Sequence, residues 1–187
     1  RELRIGCSFA SIGDMNSEGM LLAREISEVA TEDTLLYESS ADAATEHLCK
    51  KYSLNGPSVR FTSACAAGTN AIGHGYECVS SGEADAMLCG GAASLSRLTY
   101  ASFNSLRIRA RKACRPFDVN REGVCLGDGA GCLLLESEAS AEGRGVKPLA
   151  EVIGYGMGVD TYHVTEPDPT GHPIRDTILD AIERAGI

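Results

Sequence analysis

The sequence predicts an α/β protein with parallel strands, and three observations support that prediction. Residues 58–63 are β-prone, the small residues from Ala64 onward continue as a helical stretch to about residue 79, and residues 84–89 form a further apolar strand. A strand, a helix and a strand within about 35 residues make a βαβ unit, whose strands pair in parallel through a right-handed crossover. The chain also holds 21 glycines against four phenylalanines and no tryptophan, which is typical of close backbone packing.

The remaining elements follow from apolar periodicity and turn residues. A helix over 42–52 carries apolar residues at i, i+4 and i+8, and the Asn-Gly-Pro turn at 55–57 ends it. The last helix has one apolar face, and Gly186 supplies its C′ residue. We predict strands at 3–9, 58–63, 84–89 (ending at a glycine pair), 132–136 and 149–155, helices at 17–29, 42–52, 64–79, 139–145 and 174–185, irregular or helical chain at 94–114, and a loop at 161–173.

A glycine-rich run at 127–131 invites comparison with nucleotide-binding loops. It lacks the third glycine of the dinucleotide fingerprint at the right spacing, and it leads into a strand instead of a helix. We therefore predict that this run permits a close backbone crossing between layers.

Charge and hydropathy exclude two classes of partner. The chain has 17 basic and 26 acidic residues, a net charge of −9, whereas phosphate binding needs a basic surface, so we expect no nucleic acid. The longest strictly aliphatic run, residues 133–135, is far shorter than the roughly 18 residues of a membrane span, so we expect no membrane contact. No basic-then-apolar leader opens the chain at Arg1, so export is not supported.

The eight cysteines are predicted to be reduced. They include no Cys-x-x-Cys pair, the short spacing that structural zinc sites usually need, so we predict no metal site. Several lie inside apolar runs, where cysteine behaves as a small hydrophobe, so we expect mostly buried thiols. Free thiols fit a cytoplasmic protein.

Cys65 is the sharpest chemical signal, because it falls where a buried strand turns into a helix of small residues. Unpaired amides and the helix dipole at such a helix start favour a thiolate, which is the nucleophilic form. The same amides can stabilise an oxyanion after the thiolate attacks a carbonyl. The alternative is that Cys65 is another small core residue, like Cys89.

Several blocks, taken in order, resemble β-ketoacyl-acyl carrier protein synthases of the elongating, decarboxylating type. The resemblance covers nearly the whole chain from about residue 3. Its blocks are residues 56–57, Thr-Ser-Ala-Cys-Ala-Ala-Gly at 62–68, Ala-Ile-Gly at 71–73, 82–87, 90–92, Arg-Pro-Phe-Asp at 115–118, 121–123, 126–131, 154–157, 160–165 and 167–169.

This resemblance implies a thiolase-like fold, with layers in the order αβαβα built from two pseudo-duplicated halves. Residues 1–148 would form most of the N-terminal half, without its first strand and helix, and residues 149–187 would begin the C-terminal half. The family transfers an acyl chain from carrier-protein phosphopantetheine to cysteine, then condenses it with the carbanion of a decarboxylated malonyl thioester. The implied partners are an acyl carrier protein, acyl and malonyl thioesters, and a second subunit in a homodimer or ketosynthase-like heterodimer. No tightly bound cofactor is implied.

The same resemblance assigns site residues. Cys65 would accept the acyl group, with its own amide as half of the oxyanion hole, and Phe103 would line the acyl pocket. Arg107 would dock the carrier protein, in a basic cluster with Arg109, Arg111 and Lys112. The alternative is a solvated loop, with Arg115 or Arg121 pairing Asp118 or Glu122. An active-site loop would contain Asp160, His163 and Thr165. For His163 the alternative is a loop histidine bonded to a neighbouring carbonyl.

The sequence departs from the family pattern at the histidines. The two catalytic histidines and the catalytic lysine of the family belong to later motifs, so the chain resembles a central fragment that we expect not to complete condensation alone. None of the four histidines fits those roles: His74 is expected to pack, His47 to lie on the surface and His172 in a loop. The rival hypothesis is a non-catalytic module, either a chain-length-factor-like partner or a truncated carrier-binding core. A thiolase fits less well.

Overall fold

The computed structural model describes residues 3–12, 43–163 and 166–187. The helix predicted at 17–29 and the site residue Thr165 lie outside the described residues. The elements, in chain order, are β1 (Ile5–Ile12), α1 (Ala43–Tyr52), β2 (Ser58–Phe61), a 3₁₀ turn (Ala64–Ala66), α2 (Ala67–Ser80), β3 (Ala86–Ala93), α3 (Arg97–Ser105), β4 (Gly129–Glu136), α4 (Glu138–Gly143) and α5 (His172–Ala185).

The four strands form one sheet in the order β2-β1-β3-β4. Strand β1 pairs in parallel with both β2 and β3, so the segment from β2 through α2 to β3 is the predicted parallel βαβ crossover, passing over β1. Strand β4 pairs antiparallel with β3. The predicted α/β class is confirmed.

The core lies where α2 packs on the sheet. One buried cluster contains Cys78, Ala84, Met87 and Cys89, and a second contains Ala10, Ala67 and Ala71. Side chains in the second cluster are no larger than a methyl group, and Gly75 of α2 has no space for one because a Cβ there would contact Cys89 Sγ. Small residues therefore bring α2 close to the strands, as the sequence predicted.

Two strand predictions were wrong. Strand β3 does not end at Gly90-Gly91 but runs on to Ala93, since β1 on one side and β4 on the other supply hydrogen-bond partners along its length. Residues 149–155 form no strand within the described part of the chain. They lie against helices instead: Tyr76 Oη of α2 donates to Ile153 O at 3.2 Å, and a Cβ on Gly154 would contact Ala181 O of α5.

The glycine run 127–131 also differs from its prediction. Its last three residues belong to β4, and a Cβ at Gly127, Gly129 or Gly131 would meet nothing within 4 Å among the described residues. The close approach is required by the partner strand, where a Cβ on Gly90 would contact Gly131 O.

All eight cysteines are free, but the prediction that most of them are buried was wrong. Cys7, Cys78 and Cys89 are buried, Cys49 is intermediate, and Cys65, Cys114, Cys125 and Cys132 are exposed. Cys132 lies on β4, where Leu133 and Leu134, whose side chains point to opposite faces of the sheet, are also about half exposed. Burial raises the pKa of Cys89 to about 12, so that thiol stays protonated.

Within the described ranges, none of the helices combines the length and apolar character that a membrane crossing requires. The same residues include no group of three or more His, Cys, Asp or Glu side chains placed to hold a metal ion.

Candidate active site

The Cys65 turn, residues 63–66, joins the end of β2 to the start of α2. Ala66 N donates to Ser63 O at 3.2 Å, which closes the turn, and Ala64 adopts φ 48°. A left-handed conformation costs a non-glycine residue about 1–2 kcal/mol, so surrounding contacts must hold this turn. Cys65 is exposed, and the alternative that it is a small core residue like Cys89 is therefore wrong.

No side chain at the cap positions accepts a hydrogen bond from the amides at this helix start. Ser63 occupies the cap position of the 3₁₀ turn and Ala66 that of α2, and neither accepts a capping hydrogen bond through its side chain. Two amides bond within the turn itself, Ala66 N to Ser63 O and Ala67 N to Ala64 O. The dipole of α2 still favours negative charge at this end, so the turn places the Cys65 thiol where a thiolate or an oxyanion is stabilised.

A chain of side-chain hydrogen bonds runs beside this turn. Tyr155 Oη donates to Asn70 Oδ1 at 2.8 Å, and Asn70 Nδ2 donates to Ser63 Oγ at 2.6 Å. Sequence reasoning missed these contacts, because Tyr155 and Asn70 are 85 residues apart. The only signal was Gly73 in α2, where a Cβ would contact the Tyr155 ring.

Helix α3 carries Phe103, assigned to the acyl pocket, and it ends just before Arg107, assigned to carrier docking. Its first turn is capped by Ser96, whose Oγ accepts from Thr99 N at 2.9 Å. Phe103 is half-buried on this helix. Arg107 is exposed just beyond it, at φ 57°, with its amide donating to Asn104 O at 3.1 Å.

Part of the predicted basic cluster is engaged within the chain. The Arg109 guanidinium lies 3.9 Å from the centroid of the Tyr100 ring. Arg115 Nη1 is 3.9 Å from Asp118 Oδ2, and Arg121 Nη1 donates to Asp118 O at 3.1 Å, so that part of the solvated-loop alternative is confirmed. Arg107, Arg111 and Lys112 are exposed, and they remain the part of the cluster available to an acidic surface.

The loop holding Asp160 and His163 is organised by its own carboxylates. Asp160 accepts from Tyr162 N at 2.9 Å through Oδ1 and from Asp168 N at 2.8 Å through Oδ2. The side-chain and backbone hydrogen bonds from Thr170 hold the pKa of Asp168 below its usual range. Exposed His163 accepts from Glu166 N through Nδ1 at 3.2 Å, which ties it to the backbone of the same loop.

The other histidines lie away from the Cys65 turn. His74 packs against the Phe61 ring at a centroid distance of 5.6 Å and shares a 3.5 Å hydrogen bond with Cys78, as its packing prediction required. His47 is on the surface, as expected. His172 was expected in a loop, but it begins α5, because Pro173 is favoured in a first helical turn, where no amide donor is needed.

An open cavity of about 360 Å³ lies between residues 157–159 and the start of α5. Its lining includes Asp168, His172 and Asp176 but not Cys65. It is therefore separate from the candidate nucleophile.

Comparison with known proteins shows that this α/β fold is the thiolase-like fold of ketosynthases. Residues 2–141 match the family described as Beta-ketoacyl synthase, N-terminal domain, and the chain belongs to that family. A 3-oxoacyl-[acyl-carrier-protein] synthase 2 of Staphylococcus aureus is 39% identical over 152 residues, which cover 78% of this chain and 38% of that relative. The synthase of the same name from Synechocystis is 42% identical over 139 residues, covering 71% of this chain and 33% of its own length.

Solved structures agree on the fold over nearly the whole chain. A β-ketoacyl synthase from Burkholderia phymatum superposes with a TM-score of 0.85 at 28% identity, covering 98% of this chain and 47% of that one. The ishigamide ketosynthase/chain length factor gives 0.84 at 33% identity, covering 98% and 46%. The chain thus spans about half of these structures and less than two fifths of the two curated relatives above.

Proposed function

We propose that this chain carries the acyl-accepting part of a β-ketoacyl-acyl carrier protein synthase that works by decarboxylative condensation. The observation that supports this best is the exposed thiol of Cys65 at the junction of β2, the 3₁₀ turn and α2, where neither cap residue makes a side-chain capping hydrogen bond. A thiol in that position can take an acyl group from a thioester and have the resulting oxyanion stabilised by backbone donors.

In the first step, the Cys65 thiolate attacks the carbonyl carbon of an acyl thioester on a phosphopantetheine arm. The new C–S bond gives a tetrahedral oxyanion, which accepts from the Cys65 amide. The oxyanion then collapses, the original C–S bond breaks, and the pantetheine sulfur leaves as a thiolate. The acyl group is now bound to Cys65, and no cofactor is consumed.

In the second step, a malonyl thioester loses carbon dioxide and its carbanion attacks the Cys65-bound carbonyl. A new C–C bond forms and the cysteine thiolate leaves. The two histidines implied for this step by the family resemblance have no counterpart among the four here, since His74 packs against Phe61 in the core region and the others are exposed. We propose that they come from the remainder of the active enzyme.

The remaining assignments extend this proposal. Residues 1–148 would form most of the first ketosynthase half and residues 149–187 the start of the second. Phe103 would contact the acyl chain, Arg107 would receive an acidic carrier protein, and the loop with Asp160, His163 and Thr165 would border the site. The second subunit would be an identical or ketosynthase-like chain, in a reducing, cytoplasmic compartment that suits eight free thiols.

A non-catalytic partner is the second candidate. It is favoured by the similarity to a structure described as a ketosynthase/chain length factor, at 33% identity. The presence of Cys65 counts against it, because the family resemblance implies that such partners typically lack this cysteine.

Acyl transfer to Cys65 is the decisive test. The protein that carries this chain is incubated with an acyl-pantetheine thioester, and the acylated peptides are identified by mass spectrometry. We expect Cys65 to be acylated at least about 100-fold faster than Cys114 or Cys125, which are exposed thiols lacking a helix start, and Cys65→Ala to abolish the reaction while Cys114→Ala leaves it intact.

Two other outcomes have distinct meanings. Acylation of Cys65 without condensation, when malonyl carrier protein is supplied, would assign the protein to the non-catalytic class. Equal labelling of all exposed thiols, or none, would overturn the role of Cys65.

A further inference from the structure

The hydrogen-bonded chain beside the Cys65 turn suggests a role for residues that the reaction itself does not use. We propose that Tyr155, Asn70 and Ser63 form a positioning relay that holds the Cys65 turn in its acyl-accepting geometry. This inference rests on the proposed function, since it concerns the same nucleophile. The three residues are positioning residues and do not touch the reacting atoms.

The turn needs an external support because its backbone is strained. Ala64 adopts φ 48° directly before Cys65, and the side chain of Ser63 does not cap the turn. Ser63 Oγ instead accepts from Asn70 Nδ2 at 2.6 Å. Asn70 belongs to the first full turn of α2, so this bond ties the flank of the strained residue to a regular helix.

Tyr155 fixes the orientation of the Asn70 amide. Its hydroxyl donates to Asn70 Oδ1 at 2.8 Å, which leaves the Asn70 Nδ2 donors directed at Ser63. Burial, and to a lesser extent the nearby carboxylate of Glu77, raise the pKa of Tyr155, so the hydroxyl remains a donor at neutral pH.

The sequence makes room for this contact at Gly73. A Cβ at that position would contact three carbons of the Tyr155 ring, so only glycine lets the ring lie directly on α2. The ring position, and not only the hydroxyl, is therefore built into the helix. The relay also connects residues 149–160 to the turn that holds Cys65. A segment of the predicted second half of the fold would therefore support the nucleophile, which lies in the first half.

A matched control exists on the same helix. Tyr76 Oη donates to Ile153 O at 3.2 Å, which also links α2 to residues 149–160 but does not lead to the Cys65 turn. Tyr76→Phe therefore removes a comparable hydroxyl and leaves the relay intact.

The test compares Tyr155→Phe with Tyr76→Phe in the protein that carries this chain. We expect Tyr155→Phe to lower the Cys65 acylation rate constant at saturating acyl-pantetheine by about threefold to tenfold, the range of one lost hydrogen bond, with an unchanged half-saturation concentration. Tyr76→Phe should lower the melting temperature about as much as Tyr155→Phe does, but it should leave the acylation rate constant within about twofold of wild type. Adding Tyr155→Phe to Ser63→Ala should have no further effect on the rate.

A second readout separates the relay from the proposed function. This readout is the rate of Cys65 alkylation by iodoacetamide divided by the rate of Cys114 alkylation. Alkylation requires neither a carrier nor an acyl pocket. Of the two tyrosine variants, we expect only Tyr155→Phe to change this ratio. If wild-type Cys65 is not acylated, the proposed function fails, while the alkylation ratio still decides the relay. Equal alkylation ratios in wild type and in both tyrosine variants would overturn the relay.

Discussion

Replacing Gly73 by alanine tests whether the Tyr155 ring lies on α2 as described. Gly73 is buried in the interior of α2, and the added Cβ would contact carbons Cδ2, Cε2 and Cζ of that ring. An aromatic ring cannot bend away from a methyl group, so the whole side chain would have to move. Its movement would also break the hydrogen bond to Asn70.

The magnitude follows from opposing contributions. Overpacking costs about 1–3 kcal/mol and the lost hydrogen bond about 0.5–1.5 kcal/mol, whereas alanine gains about 0.5–1 kcal/mol over glycine within a helix. We expect Gly73→Ala to lower the free energy of unfolding by about 0.5–4 kcal/mol. In a Tyr155→Ala background the steric cost disappears, and the same substitution should stabilise the protein by about 0.5–1 kcal/mol.

Urea unfolding of the four proteins of this double-mutant cycle measures both the expected loss of stability in the wild-type background and the expected gain in the Tyr155→Ala background. Gly68→Ala is the control in the same helix, because a Cβ there meets nothing within 4 Å. An equal destabilisation by Gly73→Ala in both backgrounds would show that the ring does not occupy the space above residue 73.

Two charge predictions concern surfaces of the chain. Arg107→Glu should reduce acyl transfer from an acidic carrier protein by about tenfold, and by less at high salt, while its transfer from a small thioester should change little. The control Lys147→Glu should change neither transfer rate by much. Equal losses on both substrates in Arg107→Glu would contradict docking. Arg144 donates through Nη2 to Glu136 Oε1 at 2.6 Å and through Nε to Oε2 at 3.2 Å, which lowers the pKa of Glu136. The resulting stability is present above the unfolded-state pKa of Glu136 and is lost as pH falls through the lower folded-state value, so Arg144→Gln should reduce the urea midpoint at pH 7 and approach wild type in acid, whereas a pH-independent difference would refute the linkage.

Local signals predicted the elements around the candidate nucleophile. The junction from β2 to α2 was predicted because β-prone residues change to small helix-forming residues within a few positions. Similarly, α5 ends at Ala185, where Gly186 takes φ 71° as the predicted C′ glycine.

Pairing and long-range contacts were beyond local reasoning. Residues 149–155 have the composition of a strand, yet a strand exists only with a partner, and here Ile153 and Gly154 contact helices. Conversely, Gly90 and Gly91 have low strand propensity but are paired on both sides. In the candidate site, the position of Cys65 could be read from sequence, but the contact of Asn70 with Tyr155 could not.

The β3–β4 ladder has two unlike halves, which gives the sheet an uneven tolerance to changes in chain length. Residues 129–131 of β4 lie opposite residues 91–93 of β3, and all six are glycine or alanine, while Leu133 and Leu135 face Cys89 and Met87. An inserted residue at 129–131 would displace almost no side chains and could be absorbed as a bulge. The same insertion near Leu135 would turn the apolar side chains to the wrong face, so evolutionary length variation in this pair of strands should concentrate at its glycine end.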